Sequence, residues 1–83
     1  KMQIENLMFA LLRFEFFGVE LSKKESDLLR GLGEEESKKL FALSKKHDMA
    51  HAVANALFKN GLLCEQSPVY KHYAKEQMLV LLL

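Results

Sequence analysis

The sequence predicts an all-α fold, a compact bundle of about five short helices, from three observations. Apolar residues recur three and four positions apart along most of the chain, which is the spacing of one helix face. Residues that start and stop helices separate these segments, among them a Ser-x-x-Glu box, a Ser-Pro pair and several glycines. Neither the alternating pattern of strands nor a hairpin dipeptide occurs. Helices are therefore the regular elements that we expect.

Helix one is predicted over residues 2–17, ending at Gly18. It is apolar nearly all round, which is typical of a helix that is central or covered on two faces. Five short helices offer too little surface to cover both faces. We therefore expect something outside the bundle to cover part of helix one. Its apolar residues are Ile4, Leu7, Met8, Phe9, Leu11, Leu12, Phe14, Phe16 and Phe17.

Helices two and three carry clear signals at their ends. Ser22 and Glu25 form a capping box, in which each side chain satisfies the backbone amide of the other residue, and this box predicts the start of helix two. Helix two should stop near Gly31 or Gly33. Three glutamates open helix three, Glu34–Lys46, where the positive end of the helix dipole favours acidic side chains.

The most regular pattern lies in residues 40–63 and predicts helix four over residues 49–60. Asp48 is predicted to be its N-cap, because the carboxylate can accept amide hydrogens of the first turn. Gly61 is predicted to close the helix in a left-handed conformation. An apolar arc should face the core and a polar arc should face solvent. The apolar arc is Met49, Ala50, Val53, Ala54, Leu57 and Phe58, and the polar arc is His51, Asn55 and Lys59.

Ser67 and Pro68 predict the start of helix five, with serine as the cap and proline at the first helical position. No stop signal follows before the apolar run of residues 78–83. From this open-ended helix and the apolar surplus of helix one, we expect residues 1–83 to be a single helical domain. We expect this domain to be a fragment of a longer protein or to oligomerise.

Composition excludes several classes of protein. The chain has 83 residues, of which 49% are hydrophobic, enough for one small globular domain and too many for a disordered tail. The net charge of +1 gives no long-range attraction for nucleic acid or an anionic membrane, so neither is expected as a partner. Cys64 is the single cysteine, which excludes an internal disulfide and favours a cytoplasmic location. No signal peptide or membrane span is predicted.

His47, Asp48 and His51 form the most conspicuous candidate metal site, because two histidines four residues apart on one helix can share a metal ion. Asp48, however, is expected to end one helix and cap the next, so the two histidines need not share a face. Only Cys64 and His72 remain as further ligands of this kind. We therefore interpret the three residues as a polar helix joint.

Other reactive or aromatic residues also have a structural interpretation. Cys64 follows a helix end between Leu63 and Glu65, which offer no base or cation to activate a thiol. Tyr70 and Tyr73 could stack on RNA bases, but their spacing with Ala74 favours the inner face of helix five. Lysines are interpreted as solvated, namely Lys71, Lys75 and the pairs Lys23-Lys24, Lys38-Lys39 and Lys45-Lys46. No residue is assigned as catalytic, cofactor-binding or metal-binding.

Residues 40–63 also carry a family resemblance. The pattern L-x-x-L-x-K-x-H-D-x-A-H-x-V-A-x-A-L-x-K-N-G-L resembles the helical N-terminal region of a bacterial family of nucleotidyltransferase-like proteins, and a weaker likeness extends over the flanking helices. The matching residues are Leu40, Leu43, Lys45, His47, Asp48, Ala50, His51, Val53, Ala54, Ala56, Leu57, Lys59, Asn60, Gly61 and Leu62.

The resemblance implies that this chain is a non-catalytic helical region that packs against a downstream catalytic domain and shapes the acceptor side of its cleft. A nucleoside triphosphate and a divalent metal would bind that domain. Nucleotidyl transfer needs a Gly-Ser-rich turn and paired carboxylates on a strand, and this sequence has no D-x-D and no Gly-Ser pair.

Two alternatives remain from the sequence. The chain could be a stand-alone interaction module without enzymatic activity, which dimerises or grips a partner helix through its apolar surplus. It could instead be a helix-turn-helix protein built from helices three and four, although the near-neutral charge and the lack of a basic recognition helix speak against this.

Overall fold

The computed structural model describes residues 3–63 and 72–75, and it confirms the all-α prediction. Four helices follow one another: α1 (Ile4–Phe17), α2 (Lys23–Arg30), α3 (Glu34–Lys46) and α4 (Ala50–Lys59). Residues 72–75 are also helical and lie within the predicted helix five, whose predicted start at Ser67 and Pro68 falls outside the described residues. No strand occurs in the ranges that the structure describes.

Helix α1 organises the bundle. It packs most extensively against α4, less against α3 and least against α2, and α3 also contacts α4. The radius of gyration is 11.4 Å, close to the value of about 12 Å expected for a compact chain of this length. The core contains aliphatic side chains from all four helices and one tyrosine, namely Leu7, Met8, Leu11, Leu29, Leu32, Leu40, Val53, Ala54, Ala56, Leu57, Leu62 and Tyr73.

Helix α4 is buried over more of its circumference than its sequence pattern predicts. Ala52 and Ala56 are buried in addition to four residues of the predicted apolar arc, so the buried arc is centred near Val53. Phe58 was predicted to lie on this arc, and this prediction is wrong, because its side chain is exposed. At 100° per residue it lies about 140° around the helix from Val53, on the side of His51.

The capping box of α2 forms as predicted. The Ser22 hydroxyl accepts a hydrogen bond from the Glu25 amide at 3.1 Å, and the Glu25 carboxylate accepts one from the Ser22 amide at 2.9 Å. Helix α2 then ends at Arg30, next to the first of the two glycines predicted to stop it. Helix α3 has the predicted bounds.

Three helices end at a residue with positive φ. Gly18 (φ 69°) and Gly61 (φ 68°) close α1 and α4, as predicted. Asp48 (φ 55°) occupies the corresponding position after α3. The prediction that Asp48 caps α4 is therefore wrong: Met49 is the N-cap residue, and no side chain caps this helix.

The reason is a competing motif at the end of α3. The amide of Met49 donates to the Ser44 carbonyl at 2.8 Å, and the amide of Asp48 donates to the Lys45 carbonyl at 3.1 Å. This pair of bonds is the Schellman motif, which requires a left-handed residue at the position of Asp48. Aspartate tolerates that conformation better than most residues with a side chain.

Candidate protein interface

The C-terminal ends of α1 and α4 lie side by side. The Lys59 ammonium and a Glu15 carboxylate oxygen are 3.2 Å apart, although the two residues are separated by 44 positions in sequence. The Glu15 side chain is largely buried, and the Lys59 side chain is about half exposed. The ion pair therefore links the two helix ends at the edge of the core.

Large apolar side chains close in sequence to Glu15 and Lys59 are exposed. Phe17 is 79% exposed, and Phe16, Phe58 and Val19 are 57%, 55% and 49% exposed. We call these four residues the aromatic end. Solvent exposure of single apolar residues is ordinary, but several large ones together at one end of a small domain are typical of an interaction surface.

Another exposed aromatic residue lies nearer the N-terminal end of α1. Phe9 is 50% exposed, and Glu5 and Arg13, four positions before and after it, are also exposed. Positions four apart are neighbours on one helix face. We call Glu5, Phe9 and Arg13 the α1 face. The Arg13 guanidinium is 3.5 Å from the Glu25 carboxylate, whereas Glu5 forms no ion pair with any described residue.

The His47–Asp48–His51 joint contains no assembled metal site. His47 is the C-cap residue of α3, whereas His51 belongs to the first turn of α4, and both are exposed. A cavity of about 220 Å³ is lined by Lys45, Asp48, Ala50 and His51, and His47 does not line it. Within residues 3–63 and 72–75, no three His, Cys, Asp or Glu side chains are grouped to hold a metal ion.

Tyr73 is fully buried, which confirms that it faces inward as predicted for helix five. Its ring is therefore inaccessible for base stacking. Its hydroxyl lies 2.9 Å from the Ser44 hydroxyl, and its ring packs edge-on against Phe41 with centroids 5.0 Å apart. The His72 ring stacks on that of Phe41, with ring centroids 5.5 Å apart. Tyr70, Lys71 and Cys64 lie outside the described residues.

The lysines predicted to be solvated are exposed wherever the structure describes them. The described ion pairs are Arg13–Glu25, Arg30–Asp27 and Lys59–Glu15. The exposed lysines are Lys23, Lys24, Lys38, Lys39, Lys45, Lys46 and Lys75.

An open groove of about 300 Å³ lies between α1, α2 and α3. Its apolar lining comes from Ile4, Leu7, Leu28 and Leu32, with the carboxylates of Asp27 and Glu36 at its border. One Glu36 oxygen already accepts a hydrogen bond from the Gly33 amide, so this side chain has a structural role at the start of α3.

Comparisons with known proteins identify no relative. No protein-family model matches the sequence, and neither curated proteins nor solved structures include a match. In the part of the chain that the structure describes, no helix has the length and apolar character needed to cross a membrane.

The sequence shows that helix one has an excess of apolar residues, but it does not show which of these residues are exposed. The neighbouring helix ends depend on the packing of α1 against α4 and on the Glu15–Lys59 contact, which no local pattern marks. Phe58 was missed because a wide apolar arc was drawn through it, whereas the buried side is centred near Val53. One signal was available in the sequence. Phe58 is next to Lys59 in the last turn of the helix, where side chains are often exposed.

Proposed function

We propose that this chain is a non-catalytic helical region of a nucleotidyltransferase-like protein, and that it packs its aromatic end against a catalytic domain of the same polypeptide. Packed there, it would shape the acceptor side of the cleft of that domain. The observation that carries the proposal is the exposure of Phe16, Phe17 and Val19 at the end of α1 and of Phe58 at the end of α4, two helix ends that the Glu15–Lys59 contact joins. The family resemblance of residues 40–63 supplies the identity of the partner domain.

The aromatic end has the composition of an interface centre. Removing one large apolar side chain from water contributes about 1.5–3 kcal/mol, and aromatic residues are enriched among those that dominate binding energy. The Glu15–Lys59 ion pair borders the patch and leaves the Lys59 side chain about half exposed. This gives an apolar centre with a polar border, as in protein interfaces generally.

Catalysis belongs to the partner domain in this proposal. The nucleoside triphosphate and the divalent metal would bind there, where paired carboxylates hold the ion that stabilises the transferring phosphoryl group. The residues of this chain would position that domain and exclude water from the contact. No chemical step is assigned to a side chain in the described ranges.

The reading frame that encodes this chain gives the first test. In this proposal the catalytic domain follows the helical region, so we expect a Gly-Ser turn and a D-x-D motif, each near a predicted strand, within about a hundred codons after Leu83. A frame that ends at Leu83, or that continues without these motifs, contradicts the nucleotidyltransferase assignment.

The docking surface is tested separately by thiol accessibility. In a Cys64→Ser background, Phe17→Cys places one thiol in the aromatic end, and Ala42→Cys places one on the exposed side of α3 as a matched control. We expect a water-soluble thiol reagent to modify position 17 at least about tenfold more slowly in the complete protein than in the 83-residue chain. Position 42 should react equally in both. Equal rates at position 17 would show that the catalytic domain does not cover the aromatic end.

A further inference from the structure

The α1 face is complementary to itself. Glu5, Phe9 and Arg13 are spaced four residues apart on the exposed side of α1, with the acidic residue toward one end, the basic residue toward the other and the aromatic ring between them. When two copies of such a helix lie antiparallel, position 5 of one helix is opposite position 13 of the other, and position 9 is opposite position 9. Each carboxylate then meets a guanidinium.

We propose that the α1 face binds a second copy of this chain in an antiparallel pair of α1 helices, with the two-fold axis passing at Phe9. Such a contact is isologous, because each copy contributes the same patch. The two Phe9 rings meet at the axis, and two Glu5–Arg13 pairs form, one on each side. The charges of the α1 face complement those of a second α1 face, which favours a second copy of this chain over an unrelated protein as the partner.

The side chains of the α1 face are exposed and can form the contacts that the pair requires. Phe9 and Arg13 are about half exposed, so both are available without unfolding. Arg13 keeps its contact with Glu25 through one terminal nitrogen, and the guanidinium has further N–H groups to donate to a second carboxylate. Glu5 forms no ion pair with any described residue, so it loses none on association.

Charge also excludes the competing arrangements of two α1 helices. A parallel pair places Glu5 opposite Glu5 and Arg13 opposite Arg13. An antiparallel pair shifted so that Phe9 meets Phe16 of the second copy leaves Glu5 beyond the end of the partner helix, away from Arg13. Like charges repel in the parallel arrangement, and the shifted arrangement loses both Glu5–Arg13 pairs.

The interface is small, and we expect weak association. Helix α1 has 14 residues and is about 21 Å long, so a single pair of such helices buries less than the roughly 1,200 Å² of standard specific interfaces. We expect a dissociation constant on the order of 10–1,000 µM for the isolated chain, as for weak, transient contacts. The proposal does not rest on the function proposed above, because Phe17, Val19 and Phe58 play no part in it.

Disulfide crosslinking tests the position of the axis. In the Cys64→Ser background, Phe9→Cys brings two thiols together at the two-fold axis. Packed helices have axes 8–10 Å apart, and Cα atoms that face each other across such a contact are close enough for a disulfide. Phe16→Cys is the matched control, since it replaces the same residue type on the same helix with similar exposure. We expect Phe9→Cys to form covalent dimers at least about tenfold faster than Phe16→Cys under mild oxidation at 0.5 mM protein. Equal rates, or faster crosslinking in a mixture of the two variants, would overturn the proposed axis.

Charge exchange tests the pairing without relying on cysteine chemistry. We expect Glu5→Arg to weaken dimerisation in analytical ultracentrifugation at least about tenfold, because two arginine pairs then face each other. The double variant Glu5→Arg with Arg13→Glu should recover most of this loss, whereas Glu20→Arg, the same charge change off the α1 face, should have no effect. Far-UV circular dichroism verifies that each variant is folded. A wild-type chain that stays monomeric at 1 mM, or a double variant as weak as the single one, contradicts the proposal.

Discussion

Two buried serines of helix α3 differ in whether their hydroxyl groups have hydrogen-bond partners. Ser37 and Ser44 are both fully buried, two turns apart. The Ser44 hydroxyl donates its single hydrogen to the Leu40 carbonyl at 2.7 Å, so in the 2.9 Å contact with Tyr73 the tyrosine hydroxyl is the donor. The Ser37 hydroxyl has no hydrogen-bond partner among the described residues.

Replacing Ser44 by alanine removes the acceptor of the Tyr73 hydroxyl. We expect the free energy of unfolding to fall by about 1 kcal/mol, since a buried hydrogen bond between neutral groups contributes about that amount. For a domain of this size, the midpoint of thermal unfolding should fall by about 4–8 °C. Calorimetry measures both quantities. An unchanged midpoint would show that the hydroxyl pair does not stabilise the contact between α3 and residues 72–75.

Replacing Ser37 by alanine should have the opposite effect. It removes a buried hydroxyl that lacks a partner and introduces a better helix former, so we expect the free energy of unfolding to rise by about 1 kcal/mol. Ser44→Ala, the identical change in the same helix, is its natural control. Destabilisation by Ser37→Ala in urea titration would mean that this hydroxyl has a hydrogen-bonding role.

The residues at the ends of the helices determine the path of the chain. Three left-handed residues turn the chain after α1, α3 and α4: Asp48 and Gly61 lie in Schellman motifs, whereas Gly18 closes α1 with a wider pair of backbone bonds. The sequence predicted the two glycine closures because glycine marks the left-handed position. At the third closure the residue is Asp48, which the sequence equally allows as an N-cap of the next helix. The choice depends on backbone bonds to Ser44 and Lys45, which belong to the preceding helix and are not marked by the aspartate itself.

The two interpretations of Asp48 predict different effects of glycine at this position. Left-handed backbone costs a residue with a side chain about 1–2 kcal/mol relative to glycine, and the extra freedom of glycine in the unfolded chain offsets part of this. We therefore expect Asp48→Gly to raise the free energy of unfolding by about 0.5–1 kcal/mol in urea titration. If the carboxylate capped α4, the same substitution would lower stability by a few tenths of a kcal/mol or more.

For the whole molecule, the sequence predicted the fold class, the bounds of α3 and the capping box of α2, because these depend on local periodicity and on neighbouring residues. It also predicted that helix one would not be fully covered, from the count of its apolar residues. It could not predict which of them would be exposed. That depends on packing against α4 and on the Glu15–Lys59 contact, which join distant parts of the chain.

Helix α1 carries both residues that stabilise the fold and residues that are available for binding. Leu11 is fully buried on the inner side of α1, and Phe17 at its end is 79% exposed. Leu11→Ala should lower the free energy of unfolding by about 2–5 kcal/mol through lost burial and a cavity, enough to unfold much of so small a domain. Phe17→Ser should change it by less than about 0.5 kcal/mol, because an exposed ring has few contacts to lose. Urea titration monitored by circular dichroism measures both variants. A loss of 2 kcal/mol or more in Phe17→Ser would show that this ring packs within the domain, and Phe17 would then have to be removed from the proposed docking surface.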